Sequence, residues 1–270
     1  MRYFISLSYD GAPFCGWQTQ NAAPTVQACL EKALSTLLGA DVALVGAGRT
    51  DTAVNAICYA AHFESGEAIE ADTIRYKLNA ILPEEIVVHE LREVPDGMHA
   101  RFSAQRREYT YFINTKKDPF VRKYSFLCTY PLDFDKMAEA AALLVGTHDF
   151  SCFQKTGSDV KTSICTVVEA GWHSYSPSHV SLMHYPGDGE YFYFRIAADR
   201  FLRNMVRAIV GTLIEVGRGK RSVSDFASLI RDPADSGIPG STGVLPARSR
   251  AGESVPGHAL FLSEIKYAGD

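Results

Sequence analysis

The order of its hydrophobic periods constrains this chain most, because one strand-helix-strand succession occurs twice along it. Residues 3–9 alternate as a strand does, residues 26–38 carry apolar side chains on one helical face, and residues 56–63 form another strand-like run. Thr25 is placed to cap that helix and Gly39 to end it. A second helix over 71–81, stopped by Pro83, and a strand over 86–91 complete this half. The succession then returns. A strand over 107–113 precedes a helix over 134–145 that ends at Gly146; strands follow over 164–172 and 191–197. A long helix with one apolar side spans 201–216, stopped by Gly217 and Gly219, and a last strand spans 260–267. Two such units in tandem predict an α+β architecture, with an N-terminal half over 1–104, a C-terminal half over 105–270 and a cleft between them. The segments 174–190 and 231–257, rich in Ser, Pro and Gly, read as surface insertions, the second as a long loop or lid.

Between the first helix and the strand at 56–63 lies a polar knot: Val45, Gly46, Ala47, Gly48, Arg49, Thr50, Asp51, Thr52, Ala53, Val54 and Asn55. A polar loop set between two apolar runs on a rigid scaffold is where chemistry tends to sit. Asp51 is the leading candidate within it. A nearby guanidinium favours the ionised carboxylate, the state required of a nucleophile or a general base. The same residue could instead serve only its own turn through backbone hydrogen bonds. The two glycines form neither a dinucleotide fingerprint nor a triphosphate loop, since the third glycine and the Gly-Lys-Ser/Thr are missing. They are read as permitting tight backbone geometry.

The formal charge of -4 does not exclude a nucleic-acid partner, because binding depends on local clustering. Arg101, Arg106, Arg107, Lys116, Lys117, Arg122 and Lys123 crowd one stretch. Arg195, Arg200, Arg203, Arg207, Arg218, Lys220 and Arg221 crowd another, and together they hold about half of the 27 basic residues. Arg203 and Arg207 fall four apart on the long helix and should share a face beside its apolar stripe. Tyr109 and Tyr111 point to one side of their strand, where a ring could stack on a nucleobase, worth about 1–3 kcal/mol per base, or could simply be core. The six cysteines are scattered and the eight histidines form no metal pattern, so zinc and a disulfide framework are not expected, and a reducing cytoplasm fits. His148 and Asp149 are assigned to a loop or cap. No Ser-His-Asp or Gly-x-Ser-x-Gly arrangement, signal peptide or membrane-spanning apolar run is present.

The segment from Gly48 to Ala56 resembles the G-R-T-D-A-G-V-H-A signature of the tRNA pseudouridine synthase A (TruA) family. Tyr9-Asp10-Gly11 with Phe14, Gly16, Trp17 and Gln18 is similar to the family's N-terminal motif. Thr25-Val26-Gln27, Leu82-Pro83, His99-Ala100-Arg101, Tyr109-x-Tyr111, His148-Asp149-Phe150 and Met205-Val206-Arg207 fall in family order over nearly the whole chain. The resemblance implies the pseudouridine synthase fold, in which two ferredoxin-like halves share an antiparallel sheet with a central basic cleft. It also implies an isomerase that converts uridine to pseudouridine at positions 38, 39 and 40 of the tRNA anticodon stem-loop, without cofactor or metal, as a homodimer on which one tRNA spans both subunits.

By the same resemblance, Asp51 matches the catalytic aspartate and Arg49 the arginine that fills the space left by the flipped base. Tyr109 matches the tyrosine that stacks on the target uracil, and Arg207 the basic partner of the carboxylate; Arg101 and Arg203 are further candidate substrate contacts. Thr52-Ala53 stands where the family commonly has Ala-Gly, so the backbone after Asp51 lacks a glycine's freedom, and Asn55 stands in place of the common His. Two other readings compete. A non-catalytic RNA-binding module would have no need of an anionic group facing phosphates, and a carboxylate-dependent hydrolase of a small substrate would leave the two basic clusters unexplained.

Overall fold

In the computed structural model, which describes residues 1–21, 23–157, 162–235 and 248–268, the chain forms two compact units. One comprises residues 1–107 with the chain from Phe261 onward, the other residues 108–260. Each mixes strands and helices, so the class is α+β.

In the first unit, β1 (Arg2–Tyr9) is followed by α1 (Val26–Leu38), the short β2 (Val45–Gly46), β3 (Asn55–Glu64), α2 (Ala71–Ile81) and β4 (Ile86–Val94). β1 runs antiparallel to both β3 and β4, and β2 adds to β3. The final strand, Leu260–Tyr267, lies parallel to β3, with Phe261 opposite Asn55. The N-cap of α1 is as expected: Thr25 is extended at φ -137°, and its side chain accepts the Ala28 N–H at 3.4 Å. Gly39 closes the helix in the left-handed region at φ 66°. β1 buries more than alternate residues. Phe4, on the face opposite Tyr3 and Ile5, meets the Tyr267 ring edge-on at 5.2 Å, so the final strand supplies cover that a solvent-facing position would lack.

The second unit contains the part of β5 (Ala104–Asn114) from Glu108 onward, β6 (Phe126–Leu127), α3 (Phe134–Ala142), β7 (Gly146–Asp149), β8 (Ile164–Ser174), α4 (Ser178–Ser181), β9 (Tyr191–Ala198), α5 (Met205–Gly217) and α6 (Val223–Ala227). Its strands are ordered β5-β9-β8-β7. Four expectations are corrected here. α3 stops at Ala142, not at 145, and His148-Asp149 belongs to a strand instead of a loop, because residues 146–149 pair with β8, His148 opposite Cys165. α5 begins at Met205, not at 201, because Asn204 is left-handed at φ 66°. Gly217 lies inside α5 and does not stop it: a Cβ there would collide with the Met137 sulfur on α3, so this glycine permits close helix packing.

α5 is the core of this unit. Of its residues from Met205 to Gly217, only Arg207 and Glu215 escape full burial, so the helix is apolar almost all round instead of on one side. Part of the region expected to be a loop or lid is packed against it. Gly252 N–H donates to Thr212 Oγ1 at 2.9 Å and Val255 N–H to Arg207 O at 3.2 Å; residues 236–247 of that region lie outside the described residues. The insertion at 174–190 is tied down as well, by His179 Nε2 against Asp118 Oδ2 at 2.7 Å. Among the described residues no helix is long and apolar enough to cross a membrane.

Candidate active site

Residues 47–54 leave β2 and return into β3, and two backbone hydrogen bonds tie the turn to the preceding loop at 9–17. Ala47 N–H donates to Ala60 O at 2.8 Å at one end, and at the other Asn55 Oδ1 accepts the Gly11 N–H at 2.8 Å. Between them, Trp17 N–H reaches Thr50 O at 3.3 Å, Ala53 N–H reaches Phe14 O at 3.2 Å, and Val54 N–H closes a turn on Asp51 O at 3.2 Å. Thr50 is buried, with Oγ1 2.9 Å from the Tyr9 hydroxyl, whereas Arg49 is exposed and Asp51 half-buried. Burying Thr50 turns its two neighbours outward. The carboxylate therefore leaves a loop held on both sides, as a reacting group requires.

The holding layer is aromatic. The Trp17 ring stacks on Tyr59 at 4.1 Å and Tyr9 packs on both, while the Tyr59 hydroxyl donates to Gly48 O. Gly46 is needed for close approach: a Cβ there would strike the Tyr59 hydroxyl and the Trp17 indole. Gln27, on the buried face of α1, accepts the Thr19 N–H at 3.0 Å and donates to Leu44 O at 3.0 Å, so the helix ties the segment after the 9–17 loop to the residue that leads into β2. A glutamine beside Val26 on an otherwise apolar face was the sequence signal for this tie.

Ala53 occupies the left-handed region at φ 60° without being glycine. That geometry costs an alanine about 1–2 kcal/mol, offset in a glycine by about 0.5–1 kcal/mol of extra unfolded-state entropy. Ala53→Gly is therefore expected to leave stability equal or raise it by up to about 1 kcal/mol, and Ala53→Val to lower it by more than 1 kcal/mol, both read by denaturant unfolding.

Arg101 is exposed on the turn at 99–103, its guanidinium over the Phe102 ring at 5.5 Å. His62 and His99 hold this turn: His62 Nδ1 accepts the Ala100 N–H at 3.1 Å, and His99 Nδ1 accepts those of Arg101 at 3.1 Å and Phe102 at 3.2 Å. Burial, helped by His99 and Arg2, pulls the His62 imidazole down to about 4, and burial lowers His99 as well. An unfolded histidine titrates near 6.5, so between that value and about 4 the unfolded chain binds more protons at His62 than the folded one. Stability should thus fall as pH drops through this window, by about 1–2 kcal/mol between pH 7 and 5 relative to His62→Asn, which does not titrate there. Urea titrations of both proteins at the two pH values check it.

In the second unit, Tyr111 is fully buried and its hydroxyl donates to Pro256 O at 3.1 Å; burial pushes its phenol well above the ordinary value. Tyr109, two residues earlier, is only half-buried and meets Phe201 edge-on at 5.1 Å. One tyrosine is core, and the other keeps accessible ring surface. Arg207 lies half-buried on α5 with Nε donating to Val255 O at 2.7 Å. Arg203 is exposed but precedes the helix, so the shared helical face expected for Arg203 and Arg207 does not exist. Several of the clustered cations are engaged by other groups of the chain. Arg107 is spent on backbone carbonyls, Lys116 pairs with Asp188, Arg221 with Glu215 at 3.1 Å, and Arg195 lies 3.7 Å from both Glu108 and Glu169. Among the described residues no group of three or more His, Cys, Asp or Glu could hold a metal ion.

Residues 140–268 match a family model described as tRNA pseudouridine synthase. A "tRNA pseudouridine synthase A" of Bacteroides fragilis is 46% identical over 268 residues, covering 98% of this chain and 96% of the relative. Proteins of the same name from Bacteroides thetaiotaomicron and Thermoanaerobacter pseudethanolicus are 44% and 37% identical; the alignments cover 100% and 97% of this chain and 91% and 98% of theirs. The chain belongs to the tRNA pseudouridine synthase A family.

Proposed function

We propose that this protein isomerises uridine to pseudouridine at positions 38, 39 and 40 in the anticodon stem-loop of tRNA, in the cytoplasm and as a homodimer on which one tRNA spans both subunits. The architecture proposed with it is two ferredoxin-like halves sharing an antiparallel sheet beside a basic cleft. The observation that carries the reading is the loop at 47–54, which holds Asp51 half-buried and Arg49 exposed in a chain nearly half identical to a relative of that name. In the reaction the bond from uracil N1 to the sugar breaks, the base turns, and a bond from C5 forms in its place. The C5 proton is lost to solvent and N1 gains one, so no electrons enter or leave. Asp51 acts as nucleophile or base toward the sugar or base. Arg49 occupies the stack position vacated by the flipped nucleotide, whose extrusion costs a few kcal/mol. Tyr109 stacks on the target uracil, Arg207 supplies positive charge for the reacting carboxylate, and Arg101 and Arg203 contact the RNA backbone.

Mapping of pseudouridine in unmodified tRNA after incubation with the protein is expected to find it at positions 38–40 alone. Pseudouridine elsewhere would overturn the positional assignment, and none anywhere would overturn the activity. Binding should weaken steeply with salt, since each phosphate contact releases counterions.

A further inference from the structure

The sequence counts Arg107 among the cations available to RNA, yet its guanidinium is turned inward onto three carbonyl oxygens of the first unit. Nη2 donates to Arg101 O at 2.7 Å and to Ala47 O at 3.1 Å, and Nη1 donates to Ala104 O at 3.3 Å. The first two acceptors belong to different functional loops. Ala47 is buried at the start of the loop carrying Arg49 and Asp51, with its own N–H fixed on Ala60 O. Arg101 sits on the turn that His62 and His99 hold.

From this geometry we infer that Arg107 is a positioning residue, whose single guanidinium nitrogen locks the Asp51 loop to the Arg101 turn. This inference rests on the reading of Asp51 as the reacting group. Only arginine suits the task. Its planar fork presents several fixed N–H directions at once, whereas a lysine ammonium at the end of a flexible stem does not span separated acceptors with the same geometry. The bonds are to neutral carbonyls, so what Arg107 contributes is registration of two loops. Displacement of a reacting group by about 1 Å can cost 10²-fold in rate.

Arg107→Lys keeps the charge and removes the fork. In single-turnover assays with unmodified tRNA and saturating enzyme, its rate is expected to fall about 10- to 100-fold. Its tRNA affinity should stay within about 3-fold of wild type, with an unchanged slope of binding against salt. Backbone amides at 47–53 and 99–103 should exchange with deuterium faster than in wild type, and those of β1 should not. An unchanged rate at saturation would overturn the inference, as would a rate loss accompanied by equal exchange in both loops. In Arg107→Gln, which removes the charge, a salt slope reduced by about one would also overturn it, because it would make Arg107 a phosphate contact. If Arg107→Lys does not fold, Arg107→Gln, whose amide can still serve one carbonyl, is read by the same criteria. If wild-type protein shows no turnover, the catalytic reading fails by itself, and the exchange comparison still decides whether Arg107 ties the two loops.

Discussion

Replacing Asp51 by asparagine is expected to abolish turnover, with a fall on the order of 10⁴-fold or more, while tRNA binding stays within a few-fold of wild type. The substitution is nearly isosteric. The loop around it is held by bonds that do not use the Asp51 carboxylate: Thr50 through Tyr9 and Trp17, Ala53 through Phe14, and Asn55 through Gly11. The loop should therefore keep its shape while losing the charge that attacks or removes a proton. RNA affinity comes chiefly from cations meeting phosphates, and removing a negative charge does not weaken it. Filter binding and single-turnover kinetics on the same preparation separate the two quantities. Turnover that survives in Asp51→Asn would remove Asp51 from the chemistry.

Gly16→Ala is expected to damage both stability and activity, although residue 16 lies far from Asp51 in sequence. Gly16 adopts φ 88°, which costs an alanine about 1–2 kcal/mol, and an added Cβ would strike the Thr50 carbonyl. That carbonyl accepts the Trp17 N–H, so the clash pushes on the backbone immediately before Asp51. Strain and overpacking together should cost about 2–4 kcal/mol, and displacement of the carboxylate about 10²-fold in rate. Gly39→Ala is the control. Gly39 is also left-handed, at φ 66°, but nothing lies within 4 Å of its Cβ position. It should cost only about 1 kcal/mol and leave the rate unchanged. Equal rates for the two variants would mean that the loop at 14–17 does not position Asp51.

These contrasts mark what the residues alone disclose. The strands at 3–9 and 191–197 and the helices at 26–38 and 71–81 were legible because a period of two or 3.6, with a cap or stop beside it, is written locally. The parallel pairing of Phe261 with Asn55 has no such signature, since it joins residues from opposite ends of the chain. β7 was hidden because Gly146, Thr147, His148 and Asp149 carry no apolar alternation and become a strand only by pairing with β8. Asn204 looked like a continuation of α5, whereas its left-handed backbone sets the true start and removes Arg203 from the helix. In the candidate site, the polar loop stood out as a loop, but its support did not. Tyr9, Trp17, Tyr59 and Gln27 read as strand, loop and helix residues, and only the folded chain brings them around residues 47–54. Arg107 shows a related limit: composition counts it in a basic cluster, and only geometry shows its donors on backbone carbonyls.

The central claim is that this chain rearranges uridine in tRNA through the loop that carries Asp51. Pseudouridine formation exchanges the C5 hydrogen with solvent, whereas binding alone, or hydrolysis of a small substrate, does not. The most direct measurement is therefore tritium release from unmodified tRNA labelled at uridine C5. Release by the wild-type protein, approaching one equivalent per target uridine and absent with Asp51→Asn, is the predicted result. Tight, salt-sensitive tRNA binding with no release from the wild type would contradict the account and leave an RNA-binding protein without this chemistry.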